Sequence, residues 1–260
     1  MDPNTSLPGP PIFDPAIFGP LSMADLAALL WLFLAWFGIG WITEHPPRTH
    51  PSVTVLMKAH RREWMRQFIT RNPRIFDSAI LTTLREGTSF FASACLIAVG
   101  GGLALIGNTD QLAGVARQFD LGHVPTLKWE IKIVVVLFFV ANALLRFVWS
   151  HRLFGYCAII MASVPNEPED PRAMPLAMQA ADINITAAKS FNSGLRCVYF
   201  ALGALGWLAG PLGLFLATSY VLLISWRREF ASHSRRAIMQ LVPGETGLPP
   251  GKAEGEQTGP

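Results

Sequence analysis

The chain has 260 residues, of which 51% are hydrophobic and only 15% charged, with a net charge of +3 and a mean hydropathy of +0.34. A soluble domain carries about a quarter charged residues, and here the apolar residues run together in long stretches, so the composition selects the bilayer as solvent. No long basic tract with interleaved aromatics occurs, which removes nucleic acid from the expected partners.

Residues 1–22 contain Pro3, Pro8, Pro10, Pro11, Pro15 and Pro20 and no Lys or Arg. They lack the basic start and short apolar core of a secretory signal and read as a Pro-rich arm. The first apolar run, 24–43, has the length of a membrane-spanning helix, with Trp41 suited to an interface. Residues 53–70 read as an amphipathic helix. Trp64, Met65, Phe68 and Ile69 share a side, and Lys58, Arg61, Arg62 and Arg66 supply charge. Such a helix lies against anionic phospholipid or docks on other helices.

The second apolar run is 88–107. Asn72-Pro73 reads as an N-cap followed by proline at the first helical position. A helix from there to Gly107 is about 50 Å long at 1.5 Å per residue. That exceeds a hydrocarbon thickness of about 30 Å, so Asp77, Arg85 and Glu86 belong at or beyond the membrane edge. The third run, 131–149, continues without a breaker to Pro165, giving another long helix with an extension. Pro165, Pro168, Pro171 and Pro175 mark a loop, and a shorter polar helix over 176–190 follows. The last apolar region, 195–226, is interrupted by Gly210-Pro211, a turn signal.

Charge placement then sets the topology. The segment 44–77 carries Arg48, Lys58, Arg61, Arg62, Arg66, Arg71 and Arg74, whereas 108–128 carries only Arg117 and Lys128. The first is therefore expected in the cytoplasm and the second outside. Arg227, Arg228, Arg235 and Arg236 put the tail, 233–260, in the cytoplasm as well, which favours five spans over four. The last two, 194–209 and 211–226, would then be a tight hairpin; a re-entrant hairpin has the same ends. The expected fold is an all-α integral membrane protein, a bundle of about five hydrophobic helices with cytoplasmic extensions, over 23–232. Its expected setting is the bacterial plasma (inner) membrane, N-terminus outside.

The stretches RNPRIFDSAILTTLREGTSFFASACLIAVGGGLALIG (71–107) and FNSGLRCVYFALGALGWLAGPLGLFLATSYVLLISWRREFAS (191–232) resemble a bacterial and plant membrane-protein family catalogued as domain of unknown function 599. The likeness covers roughly 26–232. It implies the same topology and supplies no catalytic residue.

Chemistry is sparsely encoded. Cys95, Cys157 and Cys197 form no CxxC pair and read as small buried apolar residues, not as a disulfide or zinc set. None of the six histidines falls mid-span, which argues against haem. There is no GxSxG, HExxH or P-loop, and neither metal nor cofactor is expected. Gly100, Gly101 and Gly102, and Gly206 with Gly210, read as close helix packing.

Arg85, Glu86, Arg146, Asn192 and Arg196 come from different segments that the topology brings to the cytoplasmic boundary. Ionisable groups at that depth pair or face a wet cavity. One reading is a structural salt-bridge layer with Glu86 as its main acid. Another is an anion-binding vestibule, since arginine exceeds acid. A third is a proton or ion relay through Glu86. Mid-span polar groups are few, which argues against an ion-coupled pump. The leading functional reading is a non-enzymatic structural or accessory membrane protein, self-associating or joined to other membrane subunits. The alternative is a channel or carrier for a small anionic solute or lipid.

Overall fold

The computed structural model describes residues 21–47, 49–108 and 126–240. Arg48, Arg117, His123, nearly all of the Pro-rich arm and the tail beyond Gln240 lie outside the described residues. Those described form helices joined by short turns, with no strand among them.

Helix α1, Met23–Glu44, starts with a reciprocal cap: the Asp25 amide donates to the Ser22 hydroxyl, and the Ser22 amide donates to the Asp25 carboxylate. Its buried positions Ala28, Leu32, Ala35, Ile39 and Thr43 recur every three to four residues and form one stripe. Leu30, Leu34, Phe37 and Trp41 are exposed on the other faces. Helix α2, Val53–Thr70, is capped by Ser52 and buries Leu56, Met65, Phe68 and Ile69. Its apolar side is therefore docked on protein.

Helix α3, Ile75–Ile106, starts later than the Asn72-Pro73 signal implies. Arg74 occupies the N-cap position without a side-chain cap. Its guanidinium instead donates to the carbonyls of Val164 (2.8 Å) and Pro165 (2.7 Å), tying the start of α3 to the end of α4, Thr126–Ala162.

Helix α5, Ala173–Leu205, is a single element where a polar helix and a separate span were expected. The gap expected between 190 and 194 is absent: the helix runs through it, and Gly194 is a packing residue. A Cβ there would lie 2.7 Å from the Phe147 ring of α4, so glycine lets the two helices meet without interrupting either. The N-terminal half of α5 also has an inner stripe of Ala173, Ala177, Ala180, Ala181 and Ala187, all buried. A 3-10 turn, Gly206–Ala209, leads to Gly210 at φ 94°, a backbone region that favours glycine. Pro211 then opens α6, Pro211–Phe230, and α7, His233–Gln240, follows.

Three cores stack along the molecule. One, around Phe154, Cys157, Met65 and Phe68, joins α2, α3, α4 and α5 at the arginine-rich end. The second joins Cys95, Phe147 and Cys197 of α3, α4 and α5. The third, around Leu32, Phe139, Phe200, Trp207 and Leu214, joins α1, α4, α5 and α6. Met23–Glu44, Ile75–Ile106 and Leu127–Ala162 are long and apolar enough to cross a membrane. Phe90, Ile97 and Leu103 of α3 are largely exposed apolar side chains, as a lipid-facing helix requires.

Candidate functional site

The C-terminal ends of α1 and α6, the start of α2 and the middle of α5 meet at one end of the molecule. Glu44, the last residue of α1, pairs with Lys189 (2.9 Å) and Arg196 (3.3 Å) of α5. Arg196 is only 9% exposed. From α6, the Glu229 carboxylate accepts from the Thr54 amide (3.2 Å) and the Thr54 hydroxyl (3.1 Å). It therefore lies on the positive end of the α2 dipole. Ser52 extends this joint by donating to the Thr43 carbonyl at 2.8 Å.

Between these elements is a cavity of about 400 Å³. Its charged lining is Lys58, Arg61, Lys189 and Arg228 against the single carboxylate of Glu229. Lys58 makes no ion pair among the described residues. Arg61 donates to the buried Asn184 side chain and Arg228 to the Tyr199 hydroxyl, so neither is neutralised by these bonds. Burial also pulls the Arg61 guanidinium below its ordinary range, the sign of a cation short of solvent. A smaller cavity of about 70 Å³ adjoins the first. The two share Asn192, Arg228 and Glu229, and Thr43, Arg196 and Ser225 line the smaller one.

Of the residues singled out in the sequence, Asn192 and Arg196 lie in this assembly, and Arg146 reaches Cys197 beside it. Arg85 and Glu86 do not join them. Arg85 borders a separate cleft between α3 and α4, with Arg74 and Arg172. Glu86 is exposed and makes no ion pair among the described residues. The inward face of α3 carries Asp77, Leu81, Thr88 and Cys95. Glu86 sits two residues from Thr88, about 200° around the helix. The acids that meet the arginines are instead Glu44 and Glu229, placed by the ends of α1 and α6. Sequence reading passed over both because each lies at the edge of an apolar run.

The glycines also divide. A Cβ on Gly102 would collide with the Leu137 side chain, and one on Gly206 would lie 2.6 Å from the Ala217 Cβ. Gly100 and Gly101 have nothing of this chain within 4 Å of such an atom, so they do not pack α3 within it. Gly210 is likewise open, and its part is the turn.

At the opposite end, Asp25 is fully buried. It accepts from Lys128 (2.6 Å), from Trp207 Nε1 (2.8 Å) and from Ser22. With its hydrogen bonds met by α1, α4 and the 3-10 turn, this cluster is a joint between those elements.

The family model described as "Protein of unknown function, DUF599" matches residues 27–234. No curated protein and no solved structure matches the chain.

Proposed function

Since the chain belongs to the DUF599 family of proteins of unknown function, we propose its role from the geometry: a non-enzymatic polytopic membrane protein that binds a small anion from its arginine-rich face. The observation that carries this is the cavity of about 400 Å³ in which Lys58, Arg61 and Arg228, beside a Lys189 already paired with Glu44, face one carboxylate held by the start of α2. An excess of guanidinium and ammonium groups around a partly enclosed space attracts carboxylate or phosphate. This favours the channel-or-carrier alternative over a purely structural salt-bridge layer. Its solute is a phosphate or a small carboxylate.

The test is titration of inorganic phosphate, and separately of citrate, into the detergent-purified protein by calorimetry at low ionic strength. Saturable binding of at least one is expected. Replacing Lys58 and Arg228 by Gln should weaken it about ten-fold, equivalent to about 1.4 kcal/mol. Glu86→Gln should leave it unchanged. Absence of saturable binding to either anion sinks the reading in favour of an accessory role, whose mark is a partner that co-purifies in fixed ratio.

The same reading takes the arginine-rich end as cytoplasmic and has five crossings. Two arguments favour the last two. Leu202, Leu212, Leu216 and Leu223 are more than half exposed, a surface suited to lipid, and α5 and α6 are joined by only Gly206–Gly210. Single cysteines at Gln111, Ala209 and Ser234 in a cysteine-free background test it. The first two should label from outside and Ser234 from inside. Labelling of Ser234 from outside rules out five crossings. In this orientation α2 lies along the cytoplasmic surface, where Lys58 and Arg66 meet anionic phospholipid.

A further inference from the structure

The smaller cavity has a feature that an excess of charge does not account for. Thr43 of α1 is fully buried and Ser225 of α6 is 6% exposed. Both line the cavity, and the Thr43 Oγ1 and Ser225 Oγ atoms have no hydrogen-bond partner. Buried hydroxyls are nearly always satisfied, so two orphans around one cavity indicate something absent from the protein itself. The other groups there identify what is missing. The Glu44 carboxylate already accepts from Lys189 and Arg196, and Glu229 from Thr54. Arg228 donates to Tyr199. Each hydroxyl can donate, so one acceptor between them would satisfy both, with the guanidinium of Arg196, already paired with Glu44, adding positive charge beside it.

Size limits the candidates. The space of about 70 Å³ is far smaller than the basin of about 400 Å³ beside it, which favours a small ion there over citrate. Ile39 and Leu195 form part of the wall, which favours an ion that gives up water cheaply. We propose that the smaller cavity is a binding site for one small monovalent anion of the halide class, coordinated by the Thr43 and Ser225 hydroxyls and attracted by Arg196. The inference rests on the vestibule reading and deepens it: the larger basin takes the larger anion, and the smaller site beside it holds a halide.

The experiment is a chloride titration of the purified protein in a gluconate background, followed by chlorine-35 line broadening, beside the phosphate titration above. The wild type should show saturable excess broadening. Thr43→Val with Ser225→Ala keeps the shape of the site and removes both donors. It should weaken chloride at least ten-fold while phosphate binding and the thermal midpoint hold. Ser225→Ala alone, the gentler change, should weaken chloride several-fold. Wild-type protein without saturable broadening would overturn the proposal, with water as the occupant. So would a folded double variant that binds chloride like the wild type. Chloride binding without phosphate binding would overturn the larger-basin reading and support the smaller site. Phosphate binding without chloride would do the reverse.

Discussion

Asp25→Ala is expected to lower stability by about 3–5 kcal/mol, the cost of removing one partner of a buried ion pair. The carboxylate is the only acidic group on α1 before Glu44, and it holds three elements together. It accepts from Lys128 at the start of α4, from Trp207 in the turn after α5, and from its own cap residue Ser22. Truncation leaves the fully buried Trp207 Nε1 without its partner and strands Lys128, whose side chain is 18% exposed. Asp25→Asn keeps an acceptor for Trp207 and should cost less. Adding Lys128→Met to Asp25→Asn should recover part of that loss, because the unpaired charge then disappears. The readout is the temperature at which the buried Cys95, Cys157 and Cys197 react with a thiol probe. A midpoint for Asp25→Ala equal to the wild type would mean that the three elements are held by apolar packing alone.

Asp25 also shows where the sequence was legible and where it was not. The helix was plain from its apolar run, although its cap at Ser22 was not. The partners were not, because Lys128 and Trp207 lie 103 and 182 residues away in the chain. One signal was available: an ionisable residue inside a span is costly and usually paired, and Asp25 met that description. The same distance problem hid Glu44 and Glu229. Each sits at the end of an apolar run, where acids are common, and only the meeting of α1, α5, α6 and α2 gives them a shared role.

Long, strongly patterned elements were read well because one local property determined them. The extension of α4 through His151 and Tyr156 to Ala162 followed from an apolar pattern without a breaker. The docked side of α2 followed from Met65, Phe68 and Ile69. Boundaries set by tertiary contact were read poorly. The polar helix over 176–190 and the span from 194 looked like separate elements and are one helix, with Gly194 in contact with Phe147. Asn72 looked like a cap, yet Arg74 occupies that position because its guanidinium is held by Val164 and Pro165. Glu86 looked like the natural partner of the arginines because its depth was right. Depth follows from position along a helix, but partnership also needs the right face, and Glu86 lies on the far one.

The glycines give a second large effect, and here the sign separates residues that the sequence treats alike. Gly206→Ala would place a methyl 2.7 Å from the Gly213 carbonyl and 2.6 Å from the Ala217 Cβ. The carbonyl is backbone and has no rotamer to move to, so α6 must shift away from α5. Overpacking of this kind costs about 1–3 kcal/mol, and Gly206→Val should cost more. Gly100→Ala, in the middle of α3, meets nothing within 4 Å. It should be neutral or stabilising by up to about 1 kcal/mol, the difference in helix propensity between the two residues. Gly210→Ala is also costly: space is open, but φ 94° with ψ −179° is a backbone region essentially confined to glycine, at about 1–3 kcal/mol. All three variants are ranked by the same thiol-reactivity midpoint, with Gly206→Ala and Gly210→Ala expected low and Gly100→Ala highest. If Gly100→Ala is instead the most damaging, the open face of α3 is covered in the membrane. A second copy of the chain packed through Gly100 and Gly101 would then be the first arrangement to test, by crosslinking through a cysteine at the exposed Ile97.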